Sequence, residues 1–131
     1  MGRRLPSHSK SLRDRWRLQV KVLPYPPSAN TCWRQWQGRT LVSAEYRDFK
    51  RRVALLWGRP TPMDGPLSVE VLLYRPRRIG DLDNRLKPLF DALNGLAWHD
   101  DAQVGRLLVE RHEDKLNPRA EVRVLRMETT T

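Results

Sequence analysis

The chain of 131 residues has one cysteine, Cys32, so no disulfide can form within it and a thiolate zinc site is excluded. Its three histidines, His8, His99 and His112, are too scattered for a zinc motif. No apolar run is long enough for a membrane span or a signal peptide. These absences together point to a reducing, cytoplasmic setting without a membrane partner. Acid is also scarce in one half. Residues 1–60 carry 14 Lys/Arg and 3 Asp/Glu, whereas residues 61–131 carry 11 and 12. The formal charge of +10 therefore lies in the first half, suited to a polyanion.

Against that excess, the acids of the second half are crowded. Gly80-Asp81-Leu82-Asp83-Asn84-Arg85-Leu86-Lys87 is followed by Asp91 and then Asp100-Asp101. Carboxylates held close repel each other, and a hard divalent cation relieves the repulsion by taking oxygen ligands. The expectation is a Mg²⁺ or Mn²⁺ site on a protein built to hold a polyanion.

The organisation is that of one domain. Residues 1–16 read as a flexible basic arm, 17–127 as a single α/β domain and 128–131 as a tail. Leu18, Val20 and Val22 alternate with polar residues as in a strand, which the Pro-rich run 24–28 stops. Gln37-Gly38 predicts a hairpin turn between Trp33–Trp36 and Arg39–Val42. Ser43 fits a helix N-cap, Tyr46, Phe49, Val53, Leu56 and Trp57 recur at helical spacing, and Gly58 with Pro60 ends the helix. Its other face, with Arg47, Lys50, Arg51 and Arg52, is either solvated or laid against DNA backbone. Leu67, Val69, Val71 and Leu73 predict a second strand, 84–94 a second helix, and 104–110 and 120–127 two more strands joined by a turn at 112–118. The result is a mixed β-sheet with two main helices packed on it.

Within the second helix, Leu86, Leu89, Phe90 and Leu93 form the buried face, and Asp83, Lys87, Asp91 and Asn94 share a stripe beside it. Pro88 is tolerated in a first turn, so residues 81–84 are expected to form an irregular turn and the regular helix to begin near Lys87. Asp81 and Asp83, two apart, share one side of extended backbone. Neighbouring residues on a strand point oppositely, so one of Asp100 and Asp101 is expected to reach the metal and the other to cap a turn or orient a ligand. Lys87 either offsets charge on a reacting phosphate or pairs with Asp83 or Asp91 one turn away. Trp16, Trp33 and Trp36 are candidates for DNA contact, while Trp57 and Trp98 are expected to pack.

From 18 to 127 the chain resembles the RusA family of Holliday junction resolvases. The resemblance rests on 23–30 (Leu-Pro-Tyr-Pro-Pro-Ser-Ala-Asn) with Trp33-Arg34, on Ser43-Ala44-Glu45, on Arg77-Arg78 before Asp81-Leu82-Asp83-Asn84, on Lys87 and Phe90-Asp91-Ala92-Leu93, and on Trp98-His99-Asp100-Asp101-Ala102-Gln103-Val104. It implies a homodimeric, Mg²⁺-dependent endonuclease that places paired, symmetric nicks across four-way DNA junctions. By position, Asp81, Asp83 and Asp101 would hold the metal, Lys87 would be the essential lysine, and Asn30 would lie near the DNA or the metal. Asp91 and Asp100 would support that site, and Arg34, Arg77 and Arg78 would hold the DNA backbone. Two other readings use the same residues: a metal-dependent nuclease for other DNA structures, or a non-enzymatic DNA-binding protein whose acids pair with its arginines.

Overall fold

The computed structural model describes residues 20–58, 60–78 and 80–127. The basic arm, residues 17–19 of the first predicted strand and the tail at 128–131 lie outside the described residues. Strand β1 (Lys21–Pro24) leads into the Pro-rich loop and a single helical turn, α1 (Ala29–Cys32), which sequence reasoning did not foresee. Ser28 creates that turn by accepting a hydrogen bond from the Asn30 N–H. Strands β2 (Trp33–Trp36) and β3 (Arg39–Val42) form the predicted hairpin. Its two turn residues have positive φ, +48° at Gln37 and +74° at Gly38, the twist a two-residue hairpin needs.

Helix α2 (Ala44–Trp57) starts where predicted, the Ser43 hydroxyl accepting from the Tyr46 N–H at 3.1 Å. Tyr46, Phe49, Val53 and Trp57 are buried, but Leu56 is 52% exposed and so lies outside the buried stripe in which its spacing had placed it. Strand β4 (Leu67–Arg75), the crossover helix α3 (Leu86–Leu93) and strand β5 (Val104–Glu113) form a parallel βαβ unit, and β6 (Arg119–Arg126) completes the sheet. β5 runs through His112 and Glu113, which shortens the predicted 112–118 turn. The sheet order is β1-β6-β4-β5, with β6 antiparallel to both its neighbours. This is the expected mixed α/β architecture.

Central β4 is covered on both faces. Leu67, Val69, Val71 and Leu73 join Val53, Leu89, Leu93 and Val122 in the main core. The other face carries Ser68, Glu70, Leu72 and Tyr74, all buried. Glu70 is only 3% exposed because Arg123 of β6 and Arg106 of β5 fold over it and bond to its carboxylate. Burial alone would raise its pKa, yet the hydrogen bonds from Arg123 and Arg106 outweigh burial and hold it below the usual glutamate range. Among the described residues no helix is long and apolar enough to cross a membrane.

Candidate functional site

The crossover from β4 to β5 fixes where the acids fall. After β4 the chain turns through residues 76–82 into a 3-10 turn (Asp83–Arg85) that feeds α3, so the regular helix begins one residue before Lys87. Asp81 and Asp83 are exposed on this turn, and neither carboxylate has an ion pair among the described residues. Arg85 ties the turn to the rest of the protein. Its Nη1 donates to the Pro26 carbonyl at 3.0 Å and its guanidinium lies 5.0 Å from the Tyr25 ring centroid. The Pro-rich loop, and with it exposed Asn30 on α1, is thereby docked beside the acidic turn. Arg85 was missed in the sequence, its one signal being a cation in the middle of an acidic run.

One helical turn further on, Lys87 Nζ sits 3.4 Å from Asp91 Oδ2 and 5.5 Å from the Trp33 ring centroid. The ion pair and the ring together hold an ammonium that is otherwise exposed. Trp33 is half-buried and packs edge-on against Tyr46 at 5.0 Å, so it is a support for Lys87 rather than a loop residue free to meet DNA. The Tyr46 hydroxyl is buried near the Asp91 carboxylate. Burial, followed by the nearby Asp91 carboxylate, pushes its pKa upward.

Beyond α3 the chain reverses at Gly95, whose φ of +83° suits a residue lacking a Cβ. Trp98 is fully buried, packs edge-on to Phe90 and donates from Nε1 to Asn94 Oδ1 at 2.6 Å. Asn94 is thus a structural partner rather than part of the reactive stripe. Asp100 caps the 3-10 turn Asp101–Gln103, its Oδ1 accepting from the Ala102 N–H. Asp100 thus orders the turn, and the Asp101 side chain is left exposed. Gln103 pins the turn. Its Oε1 accepts from the His99 and Asp100 N–H groups, and its Nε2 donates to the Met63 and Gly65 carbonyls, all within 2.8–3.1 Å.

The Asp101 carboxyl is raised above the usual aspartate range, first by desolvation, then by Asp100 and by the charge of Asp91, with Lys87 acting in the opposite sense. The charges of Asp91 and Lys87 are thus felt at Asp101. Asp81 and Asp83 precede α3, and Lys87 in its first turn lies between them and Asp91 along the helix. Among the described residues no three acid, histidine or cysteine side chains lie close enough to share one metal ion. The donors themselves fit a hard cation, since each offers oxygen only, and the repulsion felt by Asp101 is of the kind such a cation relieves.

The arginines divide. Arg78 forms an ion pair with Glu113 at 2.7 Å, a carboxylate it shares with Arg75. Arg77 is exposed and lines a small cleft of about 210 Å³ with Tyr25, Glu45, Pro76 and Arg85. Arg34 is exposed on β2. On the basic face of α2, Arg51 pairs with Asp48 at 2.7 Å.

The family model for endodeoxyribonuclease RusA matches residues 24–125. Similar proteins include the crossover junction endodeoxyribonuclease RusA of Escherichia coli K12, 42% identical over 88 residues, or 63% of this chain and 73% of that relative. Proteins of the same name from Shigella sonnei and from Enterobacteria phage 82 are each 41% identical over the same shares. The match spans the Pro-rich loop, the acidic turn, α3 and the Asp100-Asp101 turn, so the chain belongs to the RusA endodeoxyribonuclease family.

Proposed function

We propose that this RusA family member resolves four-way DNA junctions by paired, symmetric phosphodiester hydrolysis, with Mg²⁺ or Mn²⁺ held by Asp81, Asp83 and Asp101. The observation that carries this reading is the Gln103-pinned turn, in which Asp100 caps the backbone and the Asp101 side chain stays exposed. The family supports it, because the relatives are named crossover junction endodeoxyribonucleases. Bound metal would neutralise charge at the scissile phosphate and make water more acidic. Asp81 and Asp83, exposed and without ion pairs, are the side chains that must swing to close the site around an ion. Lys87, steadied by Trp33 and Asp91, supplies positive charge where the phosphate gains negative charge. Asn30 and Arg77, presented beside the acidic turn, hold the strand, and Arg78 joins them only by leaving Glu113. A homodimer would present two equivalent sites to the two-fold symmetry of the junction, and the reaction belongs in the cytoplasm of a bacterial or phage-infected cell.

Cleavage of a synthetic four-way junction is compared with that of linear duplex of the same sequence, with Mg²⁺ and with EDTA. Junction-selective paired nicks that need Mg²⁺ are expected. Equal cutting of duplex would replace the proposal with a general nuclease. For Lys87→Ala, kcat should fall about 10²-fold or more with near-normal junction affinity; weakened affinity at unchanged kcat would make Lys87 a backbone contact instead.

A further inference from the structure

We infer that the outward face of the β2–β3 hairpin and the cleft at its base form a strand-holding subsite, separate from the acidic turn, in which Arg34 and Arg47 grip a DNA phosphate and Trp36 stacks on a base of the same strand. The inference rests on the reading of the chain as a junction nuclease. Its own evidence is independent of the acids. The hairpin is a two-stranded sheet apart from the main one. Its register pairs Arg34 with Leu41 and Trp36 with Arg39, and alternation puts these four side chains on one face. Gln35 and Thr40 occupy the other face and hydrogen-bond to each other at 2.8 Å.

Trp36, beside the turn, is 55% exposed. Of the three tryptophans that the sequence offers for DNA contact, Trp33 is committed to Tyr46 and Lys87 and Trp16 lies outside the described residues, which leaves Trp36. An indole open to solvent on a ribbon outside the core adds little to folding and suits base stacking. At the foot of the ribbon lies a cleft of about 750 Å³ lined by Thr31, Arg34, Thr40, Ser43 and Arg47, among others. No acid lines it. Among the described residues neither Arg34 nor Arg47 has an ion pair, in contrast to Arg51 and Arg78. Two guanidiniums without ion pairs beside one concavity complement a phosphodiester. Arg34 and Trp36, two residues apart on a strand, are separated by roughly 6.6 Å, the scale of one nucleotide step. That combination of phosphate grip and aromatic platform selects a DNA strand over an acidic peptide.

Fluorescence anisotropy of the full-length protein with labelled four-way junction and labelled linear duplex tests this, with strand integrity checked on a denaturing gel. Arg34→Gln/Arg47→Gln should weaken binding to both DNAs and reduce the slope of log K against log salt by about 0.9 for the one phosphate they hold. Trp36→Ala should weaken junction binding about tenfold, with less effect on duplex, and Trp36→Phe should restore most of the loss. Trp36→Leu, which keeps apolar bulk without an aromatic face, should bind as weakly as Trp36→Ala and guards against a folding defect. Affinities within twofold of wild type with an unchanged salt slope would overturn the subsite. A change in oligomeric state at unchanged DNA affinity would do the same by making Trp36 a protein contact. The two readings fail separately: a protein that cuts no junction loses its proposed reaction, while the salt slope of the arginine variant still reports the subsite.

Discussion

Replacing Gln103 with Met removes the side-chain amide while keeping its length. Gln103 makes four hydrogen bonds, which use both donors and both acceptor sites of the amide plane. They tie loop 63–65 to residues 99 and 100. Most of these bonds are open to water, so the low end of the usual range, about 0.5 kcal/mol each, is appropriate and gives about 2 kcal/mol in all. For a domain of this size that is a drop in melting temperature of about 6–10 °C. The functional effect should exceed the thermal one. Without the amide, the turn that carries Asp101 loses its anchor to the body of the protein, and junction cleavage should fall at least tenfold at a temperature where the variant is folded. Thermal denaturation followed by circular dichroism, with single-turnover cleavage at 25 °C, measures both. A melting temperature within 2 °C of wild type, or full cleavage by the folded variant, would show that the turn is held by something else.

Glu70 gives a pH prediction. Its folded pKa is lowered, so the stability it contributes is present above the ordinary glutamate pKa and is lost as pH falls through the folded value. Glu70→Gln should cost about 1–2 kcal/mol at pH 7 and flatten the loss of stability below about pH 4, as read from urea unfolding across pH; an unchanged acid limb would remove Glu70 from the account. Cys32 is fully buried, its Sγ directed at the Ser28 carbonyl, and burial followed by the charge of Glu45 pushes its thiol pKa up to about 11. It should resist a thiol reagent at pH 8 until the protein unfolds. Rapid labelling of the native protein would contradict that burial. Ser43→Ala should cost about 1 kcal/mol through loss of the α2 cap, measured by the same urea titration, and no loss would mean that the cap is redundant.

Local chemistry was legible in the sequence. Gln37-Gly38 marked the hairpin, Ser43 and Gly58 bounded α2, and the leucine spacing of 86–93 gave the buried face of α3. What could not be read there depends on distant partners. Glu70 looked like the polar side of a half-buried strand, and it is buried because arginines on two neighbouring strands reach over it. Leu56 fitted the helical stripe, but among the described residues it remains half exposed. α1 is too short to announce itself and exists through the Ser28 cap. In the site, the stripe that joined Lys87 to Asp91 followed from helix geometry alone. The capping role of Asp100 turned on a backbone N–H of the next turn, the clamp of Arg85 on a loop far back in the chain, and the role of Gln103 on carbonyls at 63 and 65.

Single-turnover cleavage of a four-way junction by wild type and by Asp81→Asn, Asp83→Asn and Asp101→Asn, across a Mg²⁺ titration and beside a binding measurement on the same DNA, tests the central claim most directly. Each variant should bind the junction about as tightly as wild type and lose at least 10²-fold in rate, with a raised Mg²⁺ requirement for the residue that remains. Wild-type rates in all three variants, or wild-type cleavage in EDTA, would show that these carboxylates do not hold a catalytic metal.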